Sequence, residues 1–171
     1  MLPIDDEPRR PPALKIVSGG QTGVDRAALD AAIALGWEHG GWCPRGRLAE
    51  DGVIPQRYQL VETESRQYAA RTERNVIDSD ATLILARGPL TGGTELTRQF
   101  CQRHLRPHRV VNLDQPTPPV ELAEWLRRAG VAVLNIAGPR ESQCSGVGVE
   151  AERYLRQVFA AWLAAAESRD L

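Results

Sequence analysis

Short apolar segments alternate with helical ones along most of this chain, and glycine-rich stretches directly follow several of the apolar segments. That order constrains the fold more than any other feature. Strands joined through helices run parallel, with right-handed crossovers. Parallel strands are covered on both faces, so they read as continuous Val, Ile and Leu runs rather than as alternating patterns. Residues 14–17 form the first such run. They lead through Ser18-Gly19-Gly20-Gln21-Thr22-Gly23 into an alanine-rich helix over 24–35, which Gly36 ends in the manner of a left-handed stop. A weaker strand is expected over 37–43. Residues 81–86, 109–113 and 131–136 are three further strands, the last apolar except for Asn135. Helices are expected over 66–79, 95–104 and 119–129, with Leu122, Trp125, Leu126 and Ala129 on one face of the third. A last helix carries Leu155, Val158, Phe159, Trp162 and Leu163 at core spacing.

The expected architecture is a single α/β domain over residues 13–168. It is a doubly wound, Rossmann-like fold with a mainly parallel sheet of five or six strands flanked by helices. Residues 1–12 are acidic, then rich in proline and arginine, and are expected to form a flexible arm. Residues 44–65 show no clean period. Pro44, Gly46, Gly52 and Pro55 interrupt them, and so long a loop in a compact domain is usually functional or disordered.

Composition removes several classes. A formal net charge of −1 supplies no basic field for nucleic acid. No apolar run approaches the ~20 residues of a membrane helix, and the first residues lack the pattern of a signal peptide. The three cysteines, Cys43, Cys101 and Cys144, form no CxxC pair, which speaks against a zinc site or disulfide framework and for a reducing cytoplasm. His39, His104 and His108 make no metal-ligand pattern. The apolar last helix needs cover, and a homo-oligomer is one way to supply it.

In such a sheet, ligands bind beyond the carboxyl ends of the strands. The loops that follow strands are therefore the candidate site. Gly19, Gly20 and Gly23 allow close backbone approach, Gln21 and Thr22 add donors, and Asp25 lies in the first turn of the helix that follows. A helix start offers unpaired N–H groups to a phosphate or other anion. The spacing differs from both the dinucleotide fingerprint and the P-loop, which needs a lysine. Thr91, Gly92, Gly93 and Thr94 repeat the arrangement at a second loop. A third, over 138–148, offers Arg140 and Ser142. Arg45 and Arg47 on the long loop are further candidates for an anion clamp, although a solvated charged loop also explains them. Arg71, Asn75 and Asp78 fall near one stripe of a polar helix, as expected for a helix beside a wet pocket. No Ser-His-Asp order or paired-carboxylate pattern stands out.

The strings SGGQTGVDRAALDAAIALG (18–36), GGWCPRGRLAEDGVIP (40–55), RTERNVIDSDATLIL (71–85), GPLTGGTELT (88–97) and NIAGPRES (135–142) together resemble the molybdenum carrier family. The resemblance covers nearly the whole chain beyond the arm. It implies a homo-oligomeric carrier that holds molybdenum cofactor, or a related phosphate- or oxyanion-bearing small molecule such as molybdate, without chemical change. It also places the chain in a Rossmann-like superfamily that includes phosphoribohydrolases. At the second loop their PGGxGTxxE motif is matched by Thr91-Gly92-Gly93-Thr94-Glu95-Leu96-Thr97, with Thr97 where the hydrolases have a catalytic glutamate. A nucleoside-monophosphate hydrolase using Glu95 or Asp25, and a nucleotide-sensing module, are the alternatives.

Overall fold

The computed structural model describes residues 13–167. The expected N-terminal arm and residue 168 lie outside them. The first strand, β1 (Lys15–Val17), enters α1 (Val24–Ala34) through the first glycine loop. Gly36 (φ 66°) ends α1 as expected: its N–H donates to Ile33 O at 3.0 Å, and the Trp37 N–H to Ala32 O at 3.0 Å.

The single strand expected over 37–43 is instead two, β2 (His39–Gly40) and β3 (Trp42–Cys43). Gly41 divides them at φ 123°, and a Cβ there would lie 2.3 Å from Ser18 O. Only glycine can turn the chain this close to β1. Past the kink, β3 leaves the main sheet and pairs in parallel with β6 (Val61–Glu62), while β4 (Leu48–Ala49) and β5 (Gly52–Val53) form a small antiparallel hairpin between them. Residues 44–65 are thus an ordered subdomain with its own cluster of Cys43, Ile54 and Tyr58 against Leu29 of α1. Arg47, 9% exposed, holds it from within. Its guanidinium donates to the carbonyls of Ile54, Pro55, Tyr58 and Leu60 at 2.8–3.3 Å.

The chain continues through α2 (Tyr68–Ile77), β7 (Ala81–Ala86), α3 (Gly92–Arg103), β8 (His108–Asn112), α4 (Pro119–Arg128), β9 (Val133–Ala137) and α5 (Val147–Glu167). Five strands form one parallel sheet in the order β2-β1-β9-β7-β8. Side chains alternate across a strand. Ala81, Leu83 and Leu85 of β7 join the large core beneath α1, α4 and α5. Thr82 and Ile84 therefore face the other side, where α2 packs on α3 through Val76, Phe100 and Cys101. The sheet is Rossmann-like, with helices on both faces.

The large apolar residues of α5 (Leu155, Val158, Phe159 and Trp162) are buried within the chain. Leu163 is partly buried against the same core, so these residues are covered within one chain. Among the described residues no helix is long and apolar enough to cross a membrane.

Candidate functional site

Strands β1, β9 and β7 are neighbours at the centre of the sheet. Their carboxyl ends release the three glycine loops side by side, with the third loop between the other two. From here the chain winds outward in both directions, β1 to β2 and β7 to β8, which is the switch point where open α/β sheets form clefts. A cleft is present there. It encloses about 50 Å³, and about 490 Å³ with its open mouth.

Its walls come from all three loops and from α2. Eight of the residues expected from sequence line it: Gly19, Gln21, Asp25, Arg71, Asn75, Gly93, Thr94 and Arg140. At the floor Asp25 and Arg71 form an ion pair at 2.8 Å with side chains 5% and 11% exposed. The same Asp25 oxygen accepts the Gln21 N–H at 3.2 Å. Gly19 makes room for the pair, because a Cβ there would fall 1.3 Å from Arg71 Nη1. The guanidinium groups of Arg71 and Arg140 both lie near the Tyr68 ring, at 5.6 and 5.3 Å from its centroid. Cation–π contact with this one ring helps hold both guanidinium groups. Asn75 lines the wall, yet its amide is occupied: it accepts the Trp42 N–H at 2.8 Å and donates to Trp42 O at 3.0 Å. That clamp ties α2 to β3.

Two buried donors of the lining have no partner, Gln21 Nε2 and Arg71 Nε. Leaving a buried donor unsatisfied costs about 1–3 kcal/mol, so each has room for an acceptor from ligand or water; Arg98 Nε and Trp162 Nε1, outside the lining, are unpartnered as well. At the second loop the Thr91 carbonyl accepts the N–H groups of Thr94 and Glu95, and Gly93 faces open space.

The other expected residues act around the cleft rather than in it. Thr22 and Ser142 converge on an anion, but it is the chain's own. The Glu50 carboxylate accepts from Thr22 Oγ1, from Ser142 Oγ and from the Ser142 N–H at 3.2 Å, and lies 4.0 Å from Arg140 Nε. Burial opposes its ionisation, but the hydrogen bonds from Ser142 and Thr22 prevail and hold Glu50 below the usual carboxylate range. Gly23 (φ 80°) packs the first loop on the third, since a Cβ would meet Pro139 O at 2.5 Å. Gly20 lies against Leu60 and Ile54. Thr91 and Gly92 are exposed at the start of α3. Arg45 is exposed outside the cleft, its N–H bonded to Ser65 O at 2.9 Å.

Sequence reasoning did not place Glu50, Thr72, Thr97 or Asn135 at the site and took Gly138 and Gln143 only as members of the third loop, although all but Glu50 line the cleft. One signal was available. Asn135 is the polar residue of an otherwise apolar strand, and alternation turns it away from Leu134 and Ile136 toward Thr82, whose Oγ1 it meets at 3.2 Å. Glu50 gave no signal, since nothing local says that its turn folds back over the first loop. Among the described residues no group of three His, Cys, Asp or Glu is placed to hold a metal ion.

Residues 16–159 match the circularly permutated YpsA SLOG family. The chain belongs to that family. A crystal structure of a putative molybdenum carrier protein from Syntrophus aciditrophicus is 44% identical in sequence, and the match covers 87% of this chain and 96% of that one with a TM-score of 0.81. No curated protein matches. The SLOG assignment and the similarity to the carrier agree with the Rossmann-like sheet and support a ligand-binding role.

Proposed function

We propose that this SLOG protein binds molybdenum cofactor, or a related phosphate- or oxyanion-bearing ligand, in the cleft between its three glycine loops, and carries it without altering it. The observation that carries the reading is the convergence of three glycine loops and α2 on one cleft, whose lining residues Gln21 and Arg71 each keep a buried donor, Nε2 and Nε, without a partner in the chain. The cleft, about 50 Å³ and open to solvent, has room for a small anion, and a larger ligand would extend out through its open side. Gln21, Arg71 and Arg140 would hold the anionic group, with Thr94 and the N–H groups at the start of α3 beside it. The residues fit the oxyanion end of the cofactor, which when bound supplies the molybdenum centre. The chain's own groups bind, orient and shield it.

Hydrolysis of a nucleotide would need a carboxyl group free to move a proton. Asp25, the carboxylate of the lining, is tied to Arg71 and the Gln21 N–H. Glu95 is outside the lining and is held below its ordinary range by the hydrogen bond from Arg98. At the position of the hydrolase glutamate, Thr97 donates its hydroxyl to Gly93 O at 2.9 Å. These contacts favour carriage over turnover. A homo-oligomeric assembly and a cytoplasmic location belong to the same proposal, and sedimentation tests the first.

The test of function is a thermal-shift series with molybdate, tungstate, molybdenum cofactor, phosphate, AMP and ADP-ribose. A ligand of the native state raises the melting temperature with concentration. A rise with molybdate or molybdenum cofactor supports the carrier. A rise confined to AMP or ADP-ribose refutes it and turns the search to release of free base.

A further inference from the structure

Gln21 is held in a way that decides how it reads a ligand. Its Oε1 accepts two backbone N–H groups, from Thr22 at 3.1 Å and from Glu50 at 2.9 Å. Turning the amide over would set its NH2 against two donors, so the hydrogen-bond network settles the orientation. The residue is 5% exposed and belongs to the cleft lining, and its Nε2 is left without a partner. One of the two locking groups comes from 29 residues away in sequence. It is kept there by the Glu50 side chain, which binds Thr22 on the first loop and Ser142 on the third.

We propose that Gln21 is the specificity-determining residue of the cleft, selecting groups that offer oxygen acceptors, such as oxyanions, over groups that only donate, and that Glu50 is its positioning residue. The inference rests on the oxyanion-binding reading above and names the chemistry of that site. Arg71, another residue of the lining, also has an unpartnered buried donor, Nε, so the lining is matched to a group that brings oxygen acceptors. A ligand group that can only donate, such as an ammonium or amide N–H, would meet a donor here and be refused. The 44–65 subdomain then acts as a clamp that presets the amide.

Full-length wild type, Gln21→Glu, Glu50→Ala and Glu50→Gln are titrated calorimetrically with sodium molybdate. The side-chain amide of Gln21 is followed by 15N NMR without ligand. In Gln21→Glu one carboxylate oxygen keeps the Thr22 and Glu50 N–H groups and the other replaces the donor. Molybdate affinity is expected to fall by about a hundredfold, the scale of a charge-assisted hydrogen bond lost to a like charge. Glu50→Ala is expected to lose about tenfold and Glu50→Gln, which can still accept from Thr22 and Ser142, to recover most of it. The Gln21 amide should give resolved, slowly exchanging proton signals in wild type and averaged ones in Glu50→Ala. Unchanged affinity in Gln21→Glu overturns the specificity assignment. Tighter binding in Glu50→Ala would show that Glu50 competes with the ligand, and overturns its positioning role, as does an averaged Gln21 amide in wild type. A wild type that binds none of the oxyanions removes the functional reading and the specificity assignment with it, while the NMR result still decides the role of Glu50.

Discussion

Gly19 and Arg71 should be energetically inseparable, and a double-mutant cycle tests this directly. A Cβ at Gly19 would lie 1.3 Å from Arg71 Nη1 and 2.4 Å from its Cζ, so alanine there must expel the guanidinium. Gly19 is not among the glycines with positive φ, so alanine brings no backbone strain of its own. Its cost is the broken ion pair. Removing one partner of a buried pair costs about 3–5 kcal/mol. The side chains here are 11% and 5% exposed, which places the expectation near the lower end. Gly19→Ala and Arg71→Ala should therefore each destabilise by about 3 kcal/mol, or about 6–12 °C in melting temperature for a domain of this size. In the Arg71→Ala background only the approach to Asp25 Oδ2 at 2.9 Å remains, so Gly19→Ala should add about 1 kcal/mol or less, giving a coupling of about 2 kcal/mol. Urea unfolding of the four proteins, followed by tryptophan fluorescence, measures the cycle. Costs that simply add would refute the claim that Gly19 is glycine for the sake of Arg71.

Two other glycines should respond in opposite ways. Gly93→Glu should keep the fold and abolish ligand binding, because open space surrounds the position and the new carboxylate would enter the cleft. Intact binding would remove the second loop from the site. Gly138→Ala should lose folded protein, since its Cβ would sit 2.3 Å from Leu85 O and 2.6 Å from Val24 Cγ2, with rigid backbone on one side; a native circular dichroism spectrum and melting temperature would contradict this. Tyr154 is pushed up to about 12 by burial, with Glu121 adding to the effect. The folded state holds this proton more tightly than the unfolded chain, so its contribution is complete below about pH 10 and is lost as pH rises toward 12. A decline of stability over that range should be smaller in Tyr154→Phe; equal declines would exclude the group. Arg47→Lys should open the 44–65 subdomain to limited proteolysis while leaving the sheet folded, because a lysine cannot reach the four carbonyls the guanidinium joins.

Much of the fold was legible because its signals are local. The apolar run of β7 needed no context, and Gly36 ended its helix by the backbone geometry a glycine permits. The ends of other elements were harder. α3 begins at Gly92 rather than at Glu95, because a glycine pair with low helix propensity is held in the first turn by the Thr91 carbonyl. The segment over 37–43 read as one strand because the pattern of apolar residues does not reveal where Gly41 must bend to clear Ser18.

The site divides along the same line. Loop chemistry marked the first and second glycine loops and Arg140 as neighbours of an anion, and the polar stripe of a helix marked Arg71. Alternating strands and helices determined that those loops share one edge of a sheet, since parallel strands with helical crossovers leave no other arrangement. Only the tertiary structure decided which donors remain free. Thr22 and Ser142 have the right chemistry for a ligand, but Glu50 folds back from the long loop and takes their hydroxyls. Gln21 has the same local credentials, yet its Nε2 stays unpartnered because its other end is locked by that same turn. Sequence determines which groups can bind. Whether a given group is satisfied depends on residues tens of positions away, and hydrogen-bond capacity is exhausted only by what packing brings within about 3 Å.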